Sequence, residues 1–146
     1  MDYLWFRLLS LLNLPTKRIA LEKSLVPKVI LGKFNSHCAL SYNVHWFLYK
    51  GIYEVSFYLN GSHRRTLFDN SGNIVREFKS IKISKLPKET VKNMIGDMGG
   101  YRIDDVLWDE FHQEPHFRVM LKKGRNIIEA EYDNTGHILA SQLMDK

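Results

Sequence analysis

The segment Phe68-Asp69-Asn70-Ser71-Gly72-Asn73-Ile74 returns as Tyr132-Asp133-Asn134-Thr135-Gly136-His137-Ile138. Each copy is turn chemistry: Asp and Asn bond their own main chain and tolerate the left-handed backbone region, and Gly takes positive φ without steric cost. Aliphatic and aromatic runs flank both copies and mark each as a hairpin connection. A turn that occurs twice with the same flanks points to one structural unit written two times.

Other features repeat with it. Val26-Pro27-Lys28 and Leu86-Pro87-Lys88 each predict a helix start, because proline suits the first helical position and holds the residue before it extended. After Pro87, Val91, Met94, Ile95 and Met98 form one apolar helical stripe, which Gly99-Gly100 ends. After Pro27 the stripe is Ile30, Leu31 and Phe34, ending near Asn35-Ser36. Core packing accounts for the methionines better than a soft binding surface does.

Strands follow each helix. The first unit predicts strands over about 39–49, 52–59, 63–68 and 73–83, and the second over about 101–111, 116–122, 125–132 and 137–143. Two show clear alternation. Tyr53, Val55, Phe57 and Leu59 share one face and Glu54, Ser56 and Tyr58 the other. Phe117, Val119 and Leu121 share one face and His116, Arg118 and Met120 the other. Period two means a half-buried antiparallel strand. Asn60-Gly61 and Lys123-Gly124 supply tight turns, and Trp46 and Trp108 fall in the first strand of each unit.

The expected fold is α+β: two tandem α-β4 repeats, about 24–84 and 85–144, forming one antiparallel eight-stranded sheet with both helices on one face. A twisted sheet covered on one side is expected to be concave. The 146 residues suit a single domain, over about 21–146, after an N-terminal apolar segment, residues 1–20. That segment has Asp2 at its start, Arg7 within the run and no small-residue cleavage site. Leu4, Leu8, Leu11 and Leu12 share a helical face. An extra packing helix, a degenerate signal segment and an interfacial anchor stay open as readings, with membrane contact by residues 1–15 under the last.

The net charge of +5 is spread along the chain; the densest group is His63-Arg64-Arg65. A nucleic-acid surface would show a basic stripe, so none is expected. The single cysteine, Cys38, excludes an internal disulfide and reads as a small buried hydrophobe.

The ordered, doubled set resembles the PepSY-like, beta-lactamase-inhibitor-like (BLIP-like) proteins found mainly in Bacteroidetes. It comprises (Val/Leu)-Pro-Lys, an apolar helix, a strand with Trp, Tyr53-x-Val55-x-Phe57, Asn60-Gly61 and the aromatic-Asp-x-x-Gly-x-Ile turn. Gly100-Tyr101-Arg102-Ile103 matches that family's usual start of the fifth strand. The likeness covers about residues 25–142. It implies the tandem fold, a periplasmic or cell-surface location and no catalysis. The inhibitor behind the family name grips its target with a concave sheet and protruding loops; none of its loop residues has a counterpart here.

Chemistry is sparse. His112 and His116 have the spacing of a helical zinc pair, but Gln113-Glu114-Pro115 reads as a turn between strands, so no metal site is expected. Asp104-Asp105 and Asp109-Glu110 point to opposite strand faces. The Asp-Asn turns lack the further oxygens of a calcium loop. No nucleophile elbow or phosphate loop occurs, so neither catalytic nor cofactor-binding residues are expected. Candidate partner contacts are Tyr58, His116, Arg118 and Met120, which oppose the core faces, with Trp46 and Trp108, whose strand parity leaves either face open. The expected function is a non-catalytic envelope binding module, inhibitor-like in form, holding a protein or peptide on the open sheet face. The alternatives are a small-ligand or lipid-binding carrier and a membrane-associated envelope protein.

Overall fold

The computed structural model describes residues 18–97, 99–109 and 116–144. The described chain forms one antiparallel sheet with two helices, its nine strands ordered as in the sequence. It divides into two compact units, residues 18–79 and 80–144 of the described chain.

The first unit runs β1 (Ile19–Leu21), α1 (Lys28–His37), β2 (Tyr42–Tyr49), β3 (Ile52–Leu59), β4 (Ser62–Phe68) and β5 (Ile74–Ser80). The last residue of β5, Ser80, falls at the boundary with the second unit. That unit has α2 (Lys88–Asp97), β6 (Arg102–Asp109), β7 (Phe117–Lys123), β8 (Asn126–Tyr132) and β9 (Ile138–Met144). Both helices start at the lysine after the proline. Pro27 is the N-cap, and its carbonyl accepts from the Ile30 and Leu31 N–H groups. The proline therefore sits one position earlier than expected.

Among the described residues the sheet has nine strands and not eight. Residues 19–21, at the expected boundary between the N-terminal segment and the domain, pair with β2 through Ile19↔Leu48, Ala20↔Phe47 and Leu21↔Trp46. Three residues are too few to show a period, so this strand left no alternation to read.

Register replicates between the units in detail. Tyr42↔Tyr58 and His45↔Ser56 bracket a bulge in β2. Arg102↔Lys122 and Asp105↔Met120 bracket its counterpart in β6. Tyr53↔Phe68 becomes Phe117↔Tyr132, and Phe68↔Ile74 becomes Tyr132↔Ile138. Positions therefore correspond sixty apart in the helix and first strand and sixty-four apart afterwards, the longer connection after β6 making the difference. Trp46 consequently corresponds to Val106, and Trp108 to Leu48; the two tryptophans are not equivalent.

Each helix covers one face of its own unit. Ile30 and Phe34 pack with Trp46, Val55, Phe57 and Phe68, and Phe34 meets Trp46 and Phe57 edge-on at 5.3 and 5.1 Å. In the second unit Met94 packs with Val106, Phe117, Val119, Leu121 and Tyr132. Of the expected second stripe, Ile95 is exposed, and Thr90 is buried instead. The Thr90 hydroxyl donates to the Asn134 carbonyl at 3.1 Å, which accounts for a polar residue there. Met98 lies outside the described residues.

The duplicated turns seat the helices. Asp69 Oδ1 accepts from the Ser71 and Asn73 N–H groups, each at 2.9 Å. Asp133 Oδ1 accepts from those of Thr135 and His137 at 2.9 and 3.0 Å. Gly72 and Gly136 have φ of 84° and 89° and lie directly under helix residues. Asn60 and Gly61 both take positive φ, the signature of a two-residue hairpin turn. In the second unit the central pair is Gly124–Arg125, one residue later than expected, because Lys123 still pairs with Asn126.

Candidate functional site

The strand face opposite each helix carries the polar and aromatic side chains from which a binding site would be built. In the first unit direct pairing places Phe47, Glu54 and Leu67 on that face, with Ser56 beside Arg65 and Tyr58 beside His63. Arg76 joins them from β5. Glu54 is 0% exposed. It accepts from Arg18 and lies 3.9 Å from the Arg65 guanidinium. Arg18 also stacks over the Phe47 ring at 4.6 Å, and Arg76 over Phe78 at 4.7 Å. The face of this unit is therefore rich in arginine around one buried glutamate.

The second unit inverts that pattern at matching positions. Arg118 stands where Glu54 stood, and Glu129 where Arg65 stood. Arg118 is buried with Glu131 at 3.6 Å and Glu129 at 4.0 Å. Asp105, which accepts from the Ser80 hydroxyl at 3.0 Å, and buried Asp109 add further carboxylates. The same diagonal cross-strand ion pair thus occurs twice, its polarity reversed.

The six expected contact residues separate under this geometry. Trp46 is 4% exposed on the helix-covered face, against Phe34 and Phe68. It is a core residue and is withdrawn as a contact. Trp108 pairs with Phe117, so it too lies on the helix side, yet it is 39% exposed. Arg118 is on the expected face, but it is buried and its guanidinium meets the two glutamates; it is corrected from surface contact to buried ion-pair partner. Tyr58, His116 and Met120 are half-buried. Tyr58 stacks on Tyr42 at 5.8 Å and lies 5.2 Å from the His63 ring, whose Nε2 is 2.8 Å from the Ser56 hydroxyl. Tyr42 is 52% exposed. The sequence reading missed Tyr42 and His63, although Tyr42 heads β2 where the strand meets Tyr58 across the bulge.

The solved structures that this chain resembles share its fold. A DUF2874 family protein from Bacteroides uniformis superposes with TM-score 0.60 at 15% identity, over 81% of this chain and 89% of that one. The fold is that of the DUF2874 and BLIP-like proteins of Bacteroides. A protein from Bacteroides eggerthii, provisionally described as periplasmic, gives TM-score 0.62 at 15% identity over 81% and 88%. A BLIP-like protein from Bacteroides fragilis gives 0.52 at 16% over 80% and 85%. No protein-family model and no curated protein matches the sequence.

Ionisation agrees with turns built for structure. Hydrogen bonding from the Asn73 backbone, with help from Ser71, holds the Asp69 carboxyl below its ordinary range. Burial alone would raise Asp133, but the Thr135 hydroxyl and the His137 and Thr135 N–H groups outweigh it and leave the carboxyl lowered. Burial, then Glu77, pushes the Cys38 thiol up, which keeps it protonated and a poor nucleophile. Among the described residues no three His, Cys, Asp or Glu side chains converge in a metal-binding group. His112 lies outside the described residues. No described helix is long and apolar enough to cross a membrane.

Proposed function

We propose that this chain is a non-catalytic binding module of the bacterial envelope. It holds a protein or peptide through the half-exposed side chains of the strand face opposite the helices. The observation that carries the proposal is the Tyr42–Tyr58–His63 group, aromatic and accessible at the edge of a face whose centre is fixed by buried ion pairs. Tyrosine gives large contact area with few rotatable bonds and a hydrogen-bonding hydroxyl, which suits recognition of another chain. His116 and Met120 supply the corresponding half-exposed positions in the second unit. Glu54, Glu129, Glu131 and Asp105 on this face are engaged by Arg18, Arg65, Arg118 and the Ser80 hydroxyl, which favours a binding surface over acid–base chemistry. Likeness of fold to a BLIP-like protein and to one provisionally described as periplasmic supports the same reading and an envelope location.

The test is a Tyr42→Ala/Tyr58→Ala variant, used beside the parent chain to recover proteins from a periplasmic extract. Loss of a specific partner, with the melting curve retained, is the expected result. Equal recovery by both proteins overturns the assignment of this face.

A further inference from the structure

The first unit has a cavity of ≈ 460 Å³ between β1, β2 and the C-terminal half of α1. That is the size of a small-molecule site. Its floor and walls hold two aromatic rings, Phe34 and Trp46, with Leu21, Leu31 and Val44; Phe47 borders it, its own ring being on the opposite strand face under Arg18. Its polar lining is Lys23, Asn35, Ser41 and His45, and no carboxylate is among the lining residues.

The corresponding positions of the second unit show what is special here. Ser41 corresponds to Tyr101, whose side chain packs against the core of its own unit with the Lys123 ammonium 5.8 Å from the ring. Lys23 corresponds to Ile83 and Asn35 to Ile95. At these three positions the first unit carries a smaller or more polar residue than its duplicate. An aromatic ring is thereby missing from the wall, and a cation and an amide stand at the rim.

We propose that this cavity is a binding site for a small aromatic carboxylate. The ring lies against Phe34 and Trp46 in offset or edge contact. The carboxylate faces the Lys23 ammonium and the Asn35 amide, with no carboxylate among the described lining residues. This site shares no lining residue with the Tyr42–Tyr58–His63 surface, so either assignment can fail alone.

The probe is phenylacetate, titrated into the full chain and followed by ¹H–¹⁵N NMR. The expected result is a saturable shift of the Trp46 indole N–H and of amides in 31–47, complete below about 10 mM. Lys23→Glu weakens binding roughly fivefold or more and leaves the melting temperature unchanged, since Lys23 is exposed. Phenethylamine, of the same shape but positive, does not shift these signals. Absence of a saturable shift, shifts confined to other residues, or equal binding of phenethylamine overturns the proposal. Tighter binding of decanoate than of phenylacetate overturns the aromatic assignment in favour of an acyl chain.

Discussion

Gly136 shows how much can rest on one residue. Its φ is 89°, and a Cβ built there would lie 2.8 Å from the Thr90 Cα, a backbone atom that cannot swing aside. Gly61 has φ of 77° with open space around it. Alanine at 136 therefore meets both backbone strain and a clash, whereas alanine at 61 meets strain alone. Gly136→Ala is expected to destabilise by about 2–4 kcal/mol and Gly61→Ala by about 1 kcal/mol, read from urea unfolding. Asp69 and Asp133 give a second prediction. Their folded-state carboxyls titrate below the unfolded value, so their contribution is present above the ordinary carboxylate range and lost as pH falls through the lowered folded values. An Asp69→Asn/Asp133→Asn variant is expected to show a flatter loss of stability with acid than the parent, in unfolding series from neutral pH downward.

Pairs of strands carry the reversed ion pairs. Removing one partner leaves a buried charge uncompensated, which costs far more than the pair contributes. Arg118→Met is therefore expected to destabilise by about 3–5 kcal/mol. Adding Glu129→Gln and Glu131→Leu is expected to recover most of that, because a buried ion cluster replaced by apolar or neutral groups of similar volume is often neutral or stabilising. Denaturant midpoints of the single and triple variants decide it; a triple variant no better than the single one counts against the ion pairs as the source of the cost. Alternation in β3 and β7 correctly divided the two faces, but it was silent on this burial. Arg118 reads as exposed beside Phe117 and Val119 until the hairpin at Gly124 brings Glu129 and Glu131 across to it. The Glu-x-Glu spacing on β8 was the available signal.

For the whole described chain, strand order equals sequence order, so each strand pairs with its sequence neighbours. Closing short loops is entropically inexpensive, and low contact order goes with fast folding. Stopped-flow refolding is expected to place the main phase at milliseconds to tens of milliseconds, faster than Greek-key sandwiches of similar size; a main phase of seconds would contradict it.

The sequence by itself determined the duplication, the two helices, all but one strand and the core face of β3 and β7. These depend on local chemistry: turn residues, proline positions and the two-residue period of a pleated strand. Only the tertiary structure decided the rest. It paired residues 19–21 with β2, because an edge strand of three residues is defined by its partner and not by its own pattern. It placed Trp46 in the core, because both faces of β2 are apolar in sequence and only the position of α1 distinguishes them, and it placed Trp108 of β6 on the helix side yet partly in solvent. It also gave the repeated turn its second role. Asp-Asn-x-Gly is a turn in any context, but the need for Gly136 beneath Thr90 arises only when α2 packs down onto it.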